Sequence, residues 1–429
     1  MAGSRRHGLR IAAALTLCGV AACSSGPERA RGSSTSTSSR TSPPSTSSAS
    51  TTSSTTTSAG TATRAWPTYY HDNARSGAAS DGPASPDGVR RQWSSPELDG
   101  DVYAQPLIVG DRVVIATTND TVYSLNARDG SVEWKNHLAE PVSGSSLPCG
   151  NVDPVGITST PVIDTSAGRI YAVGMVRPGR HMLFALDLET GHLRSSKRVD
   201  ANGADPAVHN QRGALLLSEG KVFVPFGGRD GDCGDYHGRV VSVDVRSADL
   251  GTVKSYTLPT KGEGGFWAPP GAVDAGDGTF YLASGNSSSD GDYDYGNSVV
   301  RLTTNLALRD SFAPTNWVSL NNGDVDLGSS SPVLLSGNRI FQIGKAGTGY
   351  ILDAADLGGI GGARNSAHVC SGGGWGGIAH DDDTLFVPCS GGIVQVTAPA
   401  RRLRCRVDRE LVDARTDDRH GRRGVERRH

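Results

Sequence analysis

The sequence predicts an all-β fold, a β-propeller of four-stranded antiparallel blades. About six blades are recognisable, a number that reads as truncated from seven or eight, and a disordered tether precedes them. Three observations predict this. One pattern of strands and turns returns at roughly even spacing, Gly- and Asp-rich turns punctuate it, and no segment carries a long apolar period of 3.6 residues.

The first and clearest copy runs Gln105-Pro106-Leu-Ile-Val-Gly110, then Arg112 to Ala116, Asn119 to Asn126, Asp129-Gly130 and Trp134. It reads as a short strand, a Gly turn, a β-branched strand, a polar turn, an alternating strand and a Gly turn into a fourth strand. Further copies start at Thr160-Pro161, Gly213-Ala214, Ala268-Pro269, Ser331-Pro332 and Gly376-Gly377. Pro106 and Pro161 are 55 residues apart, Pro269 and Pro332 are 63 apart. Four strands per unit at that spacing fit propeller blades better than a sandwich, where no unit would recur.

The Leu-Asn/Asp…Asp/Thr-Gly turns at 125–130 and 186–191, with Trp134 four residues after Gly130, resemble the pyrroloquinoline-quinone-type (PQQ-like) propeller repeat family. The opening Trp66-Pro67-Thr-Tyr69-Tyr-His-Asp72-Asn-Ala-Arg75-Ser-Gly77 is similar to the first segment of such propellers. The resemblance covers about 66–396 and speaks for the fold. Dehydrogenases, assembly factors and sensor domains share that fold, so it does not fix the chemistry.

The flanks are of different composition. Arg5, Arg6 and Arg10 precede the apolar run Ile11–Val20, which is too short to span a membrane and has the flanks of an export signal. Val20-Ala21-Ala22-Cys23 resembles the lipobox of bacterial lipoproteins, which implies cleavage before Cys23 and its acylation. Residues 1–22 are therefore expected to be a signal peptide, and residues 23–65 a lipidated Cys with a Ser/Thr-rich linker that has nothing to bury. Ser4-Arg5-Arg6 also looks like a twin-arginine signal. The propeller is assigned to 66–397. Residues 398–429 form an Arg-rich tail, expected to be disordered or frameshift-derived because the composition breaks inside the sixth copy and removes its last strand. The tail's segment 401–429 holds 11 Arg against 6 acidic residues, which leaves the rest of the chain mildly acidic and without a nucleic-acid footprint.

Four Cys fall in the body, and an exported protein permits disulfides among them. Aligning the repeats puts Cys149 and Cys370 in loops that lead into inner strands, and Cys233 and Cys389 just after second strands. All four then lie on one face, and the alignment selects Cys149–Cys233 and Cys370–Cys389. That face also collects ligand candidates: Gln105, Gln211, Arg212, Trp267, Lys345 and Trp375. The Asp-Gly loops 230–235 and 290–296 invite a calcium reading, but the second lacks Gly at its sixth position and has Arg301 where a bidentate Glu belongs, so both are read as Asx turns in exposed loops. No metal site and no catalytic residue is assigned.

The function expected from the sequence is a cell-surface lipoprotein on the outer face of the bacterial cell membrane, anchored through its lipid. Its propeller would be a non-enzymatic binding or assembly platform for a protein or envelope component. It would be a monomer, with no nucleic-acid partner and no cofactor. The alternatives are a PQQ-dependent dehydrogenase and a ligand-sensing module. Such dehydrogenases resemble one another in a vicinal Cys pair and a carboxylate/Asn calcium site with a catalytic Asp. No adjacent Cys pair occurs here, which weighs against PQQ and calcium.

Overall fold

The structure is a computed structural model that describes residues 65–79, 91–247 and 249–398, with the backbone of the strand Arg404–Arg406. The export signal with Cys23, the Ser/Thr tract and the rest of the Arg-rich tail lie outside the described residues.

Six sheets follow one another along the described chain, each a blade whose four main strands pair antiparallel in sequence order, and in blade 4 Gly359–Ile360 adds a parallel edge to Leu308–Ala313. Blade 1 is built on Leu107–Val109, Arg112–Ala116, Thr121–Asn126 and Val132–His137. Blade 2 begins at Val162–Asp164, blade 3 at Leu216–Ser218, blade 4 at Val273–Asp274, blade 5 at Val333–Leu335 and blade 6 at Ala379–Asp381. The sequence reading left blade 6 without its last strand. In the structure Arg404–Arg406 pairs with Gln395–Thr397 and supplies it.

Successive side chains on a strand point to opposite faces, and here both faces are covered. In the strand Arg169–Val176 of blade 2, Ile170 and Ala172 pack against blade 1, while Tyr171 and Val173 pack against blade 3. Similar apolar cores join blades 3 and 4, 4 and 5, and 5 and 6. This is why the central strands read as continuous apolar runs. Trp134 makes one joint specific, because its ring lies where a Cβ on Gly191 would come within 2.3 Å of it. Trp93 covers Gly130 on the far face of blade 1 in the same manner, with its indole N–H on the Ala127 carbonyl at 2.9 Å. The far face of blade 6 leaves Phe386 and Ile393 exposed.

The segment Trp66–Gly77 runs along the central axis and ties the inner strands together. Trp66 pairs with Ile108 of blade 1, and the Pro67 carbonyl accepts the N–H of Ile163 in blade 2. Asn73 reaches Leu217 of blade 3 and Asp274 of blade 4, and the Ser76 carbonyl accepts the N–H of His380 in blade 6. Tyr70 spans blades 1 and 6 by taking the Gln105 amide oxygen on its N–H and donating its hydroxyl to the Gly377 carbonyl. Arg75 is 3% exposed and donates to the carbonyls of Leu215, Ala272 and Tyr69 and to the Thr68 hydroxyl. Burial lowers its pKa to about 10, so it stays charged at neutral pH.

A second buried ionisable group has no partner and is held neutral. Asp120 lies in the turn between the second and third strands of blade 1, packed against Gly156 and Gly174 of blade 2, and neither carboxylate oxygen has a partner. Burial raises its pKa from 3.8 to about 8.

Two stability effects follow. Replacing Arg75 with Met leaves three carbonyls from three chain segments without their donor, and is expected to cost about 3–5 kcal/mol in denaturant unfolding. A loss under about 1 kcal/mol would contradict the axial role. Asp120 binds a proton in the folded chain that it releases on unfolding, so stability falls as pH rises from about 4 to about 8. Asp120→Asn should therefore leave the melting temperature nearly unchanged at pH 4 and raise it by about 5 °C or more at pH 8. Equal shifts at both pH values would rule out a neutral Asp120.

Candidate functional site

The loops leading into the inner strands, with the turns after the second strands, form one mouth of the axial channel. Arg212 comes from the lead-in to blade 3, Trp267 from that to blade 4 and Trp375 from that to blade 6, while Lys345 follows the second strand of blade 5. The structure brings these four together. The Arg212 guanidinium carbon is 5.5 Å from the centre of the Trp267 ring. Lys345 Nζ is 5.8 Å from the same ring and 6.0 Å from that of Trp375, and the two indoles are 6.4 Å apart. Two flat aromatic faces and two cations thus share one opening.

Gln105 and Gln211 do not join them. Gln105 is engaged by the N–H of Tyr70. Gln211 is buried, donates to the Gly213 carbonyl at 2.7 Å and accepts from the Ser159 hydroxyl. Both fix the channel wall instead of facing the opening.

Reading from the repeats missed the acidic half of the site. The loop joining blades 4 and 5 folds through the short helix Trp317–Asn322, whose Asn321 is held by Ser287, Ser289 and Asn297. That anchored loop delivers Asp326 to the mouth. One Asp326 carboxylate oxygen meets Lys345 Nζ at 2.5 Å, and the other accepts the backbone N–H of Asn286 at 2.7 Å. Asp326 is 3% exposed. Gly285 makes the approach possible, because a Cβ there would stand 2.4 Å from Asp326 Oδ1 and 3.0 Å from Trp267 Nε1. Asn286 also donates its side-chain N–H to Glu263 at 3.0 Å, and so links two carboxylates. The signal available in the sequence was Gly285-Asn286 after the second strand of blade 4, followed by a long interblade loop that ends in Asp326.

Burial pushes the Asp326 carboxyl above its ordinary value, against the pull of Lys345 and of the Asn286 N–H. Burial disfavours the Lys345 charge, yet Asp326 and Asp324 outweigh it and hold the ammonium above its usual value. Glu263 is raised by burial and by the nearby Asp232, Asp326 and Asp324. The arrangement is a buried carboxylate held by an ammonium and a backbone N–H near the Trp267 indole edge, and a carboxylate raised in this way is a chemically competent proton acceptor.

Two disulfides brace this face. Cys149–Cys233 joins the lead-in loop of blade 2 to the acidic loop of blade 3, and Cys370–Cys389 clasps the loop that carries Trp375. The Trp375 indole donates to Ser390 at 3.0 Å, next to the second bridge. In the Asp-Gly loops, Asp232 accepts the Tyr236 hydroxyl and Asp294 accepts from Ser287 and Lys261. Among the described residues no three carboxylate, imidazole or thiol groups converge on one point that could hold a metal ion.

Fold and repeats define the class: the chain carries PQQ-like repeats arranged as a β-propeller. Residues 83–264 match the PQQ-like family model described as outer membrane protein assembly factor BamB. The chain is 25% identical over 315 residues to a polyvinylalcohol dehydrogenase of Sphingopyxis sp. (strain 113P3), a match covering 63% of this chain and 45% of that one. It is 26% identical over 227 residues to a polyvinylalcohol dehydrogenase of Pseudomonas sp., covering 47% and 33%. The matches thus span less than half the length of these curated relatives. Among solved structures, quinohemoprotein alcohol dehydrogenase ADHIIG from Pseudomonas putida HK5 has the same fold, with a TM-score of 0.59, 17% identity and coverage of 80% of this chain and 61% of that one.

These relatives overturn the expectation of a non-enzymatic platform that takes no cofactor. They are dehydrogenases. No adjacent Cys pair occurs in this chain, and the mouth holds the buried carboxylate of Asp326 with Asn286 and Trp267 close by.

Proposed function

We propose that this propeller is an oxidoreductase, a PQQ-dependent dehydrogenase that oxidises alcohol groups at the mouth defined by Trp267, Lys345 and Asp326. The single observation that carries the reading is Asp326. A carboxylate this buried, clamped by an ammonium beside an indole face, has no structural duty that a neutral side chain would not perform better.

The residues suit a planar quinone that bears several carboxylates. Trp267 offers a flat face, and Arg212 and Lys345 offer the counter-charges. When bound, the quinone supplies a two-electron oxidant. Asp326 would take the hydroxyl proton of the alcohol, and the bound quinone would supply the two-electron oxidation that leaves a carbonyl. Lys345 keeps Asp326 ionised and aimed at the opening. The names of the curated relatives support a polymeric or secondary alcohol as substrate.

The chain is placed in the same proposal as an exported lipoprotein. Val20-Ala21-Ala22-Cys23 supports a lipid anchor at Cys23 on the outer face of the cell membrane, and the Ser/Thr tract supports a spacer between membrane and propeller. The substrate would then be met outside the cytoplasm.

The test is dye-linked oxidation of polyvinyl alcohol and of small secondary alcohols by the full chain reconstituted with PQQ. Saturable turnover is expected. Asp326→Asn should lower it by about 10²–10⁴-fold, and the wild-type rate should fall as pH drops through the raised pKa of Asp326. No PQQ-dependent oxidation of any alcohol by a folded wild-type chain would overturn the reading. For the anchor, Cys23→Ser should move the protein from the membrane fraction to the medium; retention in the membrane would contradict lipidation.

A further inference from the structure

We infer that Tyr69, from the segment that fills the channel, is the floor of the binding mouth and a ligand-contacting residue. This rests on the reading of the mouth as a site for a planar quinone carboxylate.

Position along the axis carries the argument. Each inner strand leaves the mouth and runs inward, so residues just before it mark the mouth level and residues within it mark greater depth. Tyr70 bonds to Gln105 and Gly377, which precede the inner strands of blades 1 and 6. Asn73 bonds to Leu217 and Asp274, which lie inside the inner strands of blades 3 and 4. The Tyr69–Tyr70 pair is therefore the part of the segment at the level of the mouth. Their rings stack at 4.8 Å and 15°. The Tyr69 carbonyl is fixed by Arg75, so the pair is seated on the same side chain that ties blades 3 and 4.

Tyr69 is partly buried, not sealed in. The Arg212 guanidinium lies close enough to the Tyr69 hydroxyl to favour its ionised form, although burial outweighs this and keeps the phenol neutral, and Arg212 in turn lies over Trp267. A floor ring, a cation and a wall indole thus follow one another around the opening. A flat anionic ligand would find a π-face below as well as beside it. The segment Trp66–Gly77 becomes part of the binding site, and the propeller blades alone would present an open channel there.

The test uses the full chain and free PQQ, with binding read as quenching of tryptophan fluorescence and folding read as thermal denaturation. Tyr69→Phe should bind within about threefold of wild type. Tyr69→Ala and Tyr69→Leu should bind at least about tenfold more weakly, with melting temperatures close to that of Tyr69→Phe. Two side chains are used because Leu preserves bulk without a π-face, which separates lost stacking from lost packing. Quinone binding that is saturable in wild type and unchanged in Tyr69→Leu would overturn the floor assignment while leaving the quinone reading intact. Absence of saturable quenching in the folded wild type would defeat the quinone reading itself.

Discussion

Arg75 is a cation with almost no access to water, held by three carbonyls and a hydroxyl from separate stretches of chain. Such a charge is tolerated only where its donors are satisfied, so the acceptors around it are constrained as tightly as it is. Two of those carbonyls stand at the inner strands of neighbouring blades, and the others belong to the segment that carries Arg75 itself. Its neighbours Tyr70, Asn73 and Ser76 extend the same ties to blades 1, 3, 4 and 6. The apolar joints between blades set how they lean on one another. The axial segment sets where their inner edges stop, and so how wide the mouth opens.

The mouth then follows from loops that the blades hold at fixed height. Trp267 and Trp375 arrive on lead-in loops, Lys345 on a turn, and Asp326 on an interblade loop locked by Asn321. None of these side chains belongs to a strand, yet each is fixed by backbone hydrogen bonds or a disulfide close by. The result is an ion pair at the threshold between buried and exposed. Asp326 is sealed in while Lys345 remains partly open.

The blades were legible in the sequence because each strand pair announces itself twice, by alternation and by its Gly turn. The four Cys were legible for a related reason: the repeat alignment assigns each to a loop level. The four ligand candidates that converge were found by the same means, since lead-in residues of a propeller point to the axis. Gln105 and Gln211 fall at equivalent positions, yet the inserted segment and the Ser159 hydroxyl claim them. Sequence position gives the level of a side chain but not its competitor. Asp326 was illegible because it lies outside the repeat, in a loop whose path depends on the network around Asn321, and the pairing of Asn286 and Glu263 with it depends on the close approach that the bare Cα of Gly285 allows.

The central claim is that the mouth, floored by the axial segment and walled by Trp267, receives a planar quinone. A crystal structure of the full chain grown with PQQ tests it most directly. The account predicts density for the quinone against the Trp267 ring, within reach of Arg212, Lys345 and Asp326. Density at the opposite end of the channel, or on the outer face of a blade with the mouth filled by solvent, would contradict it.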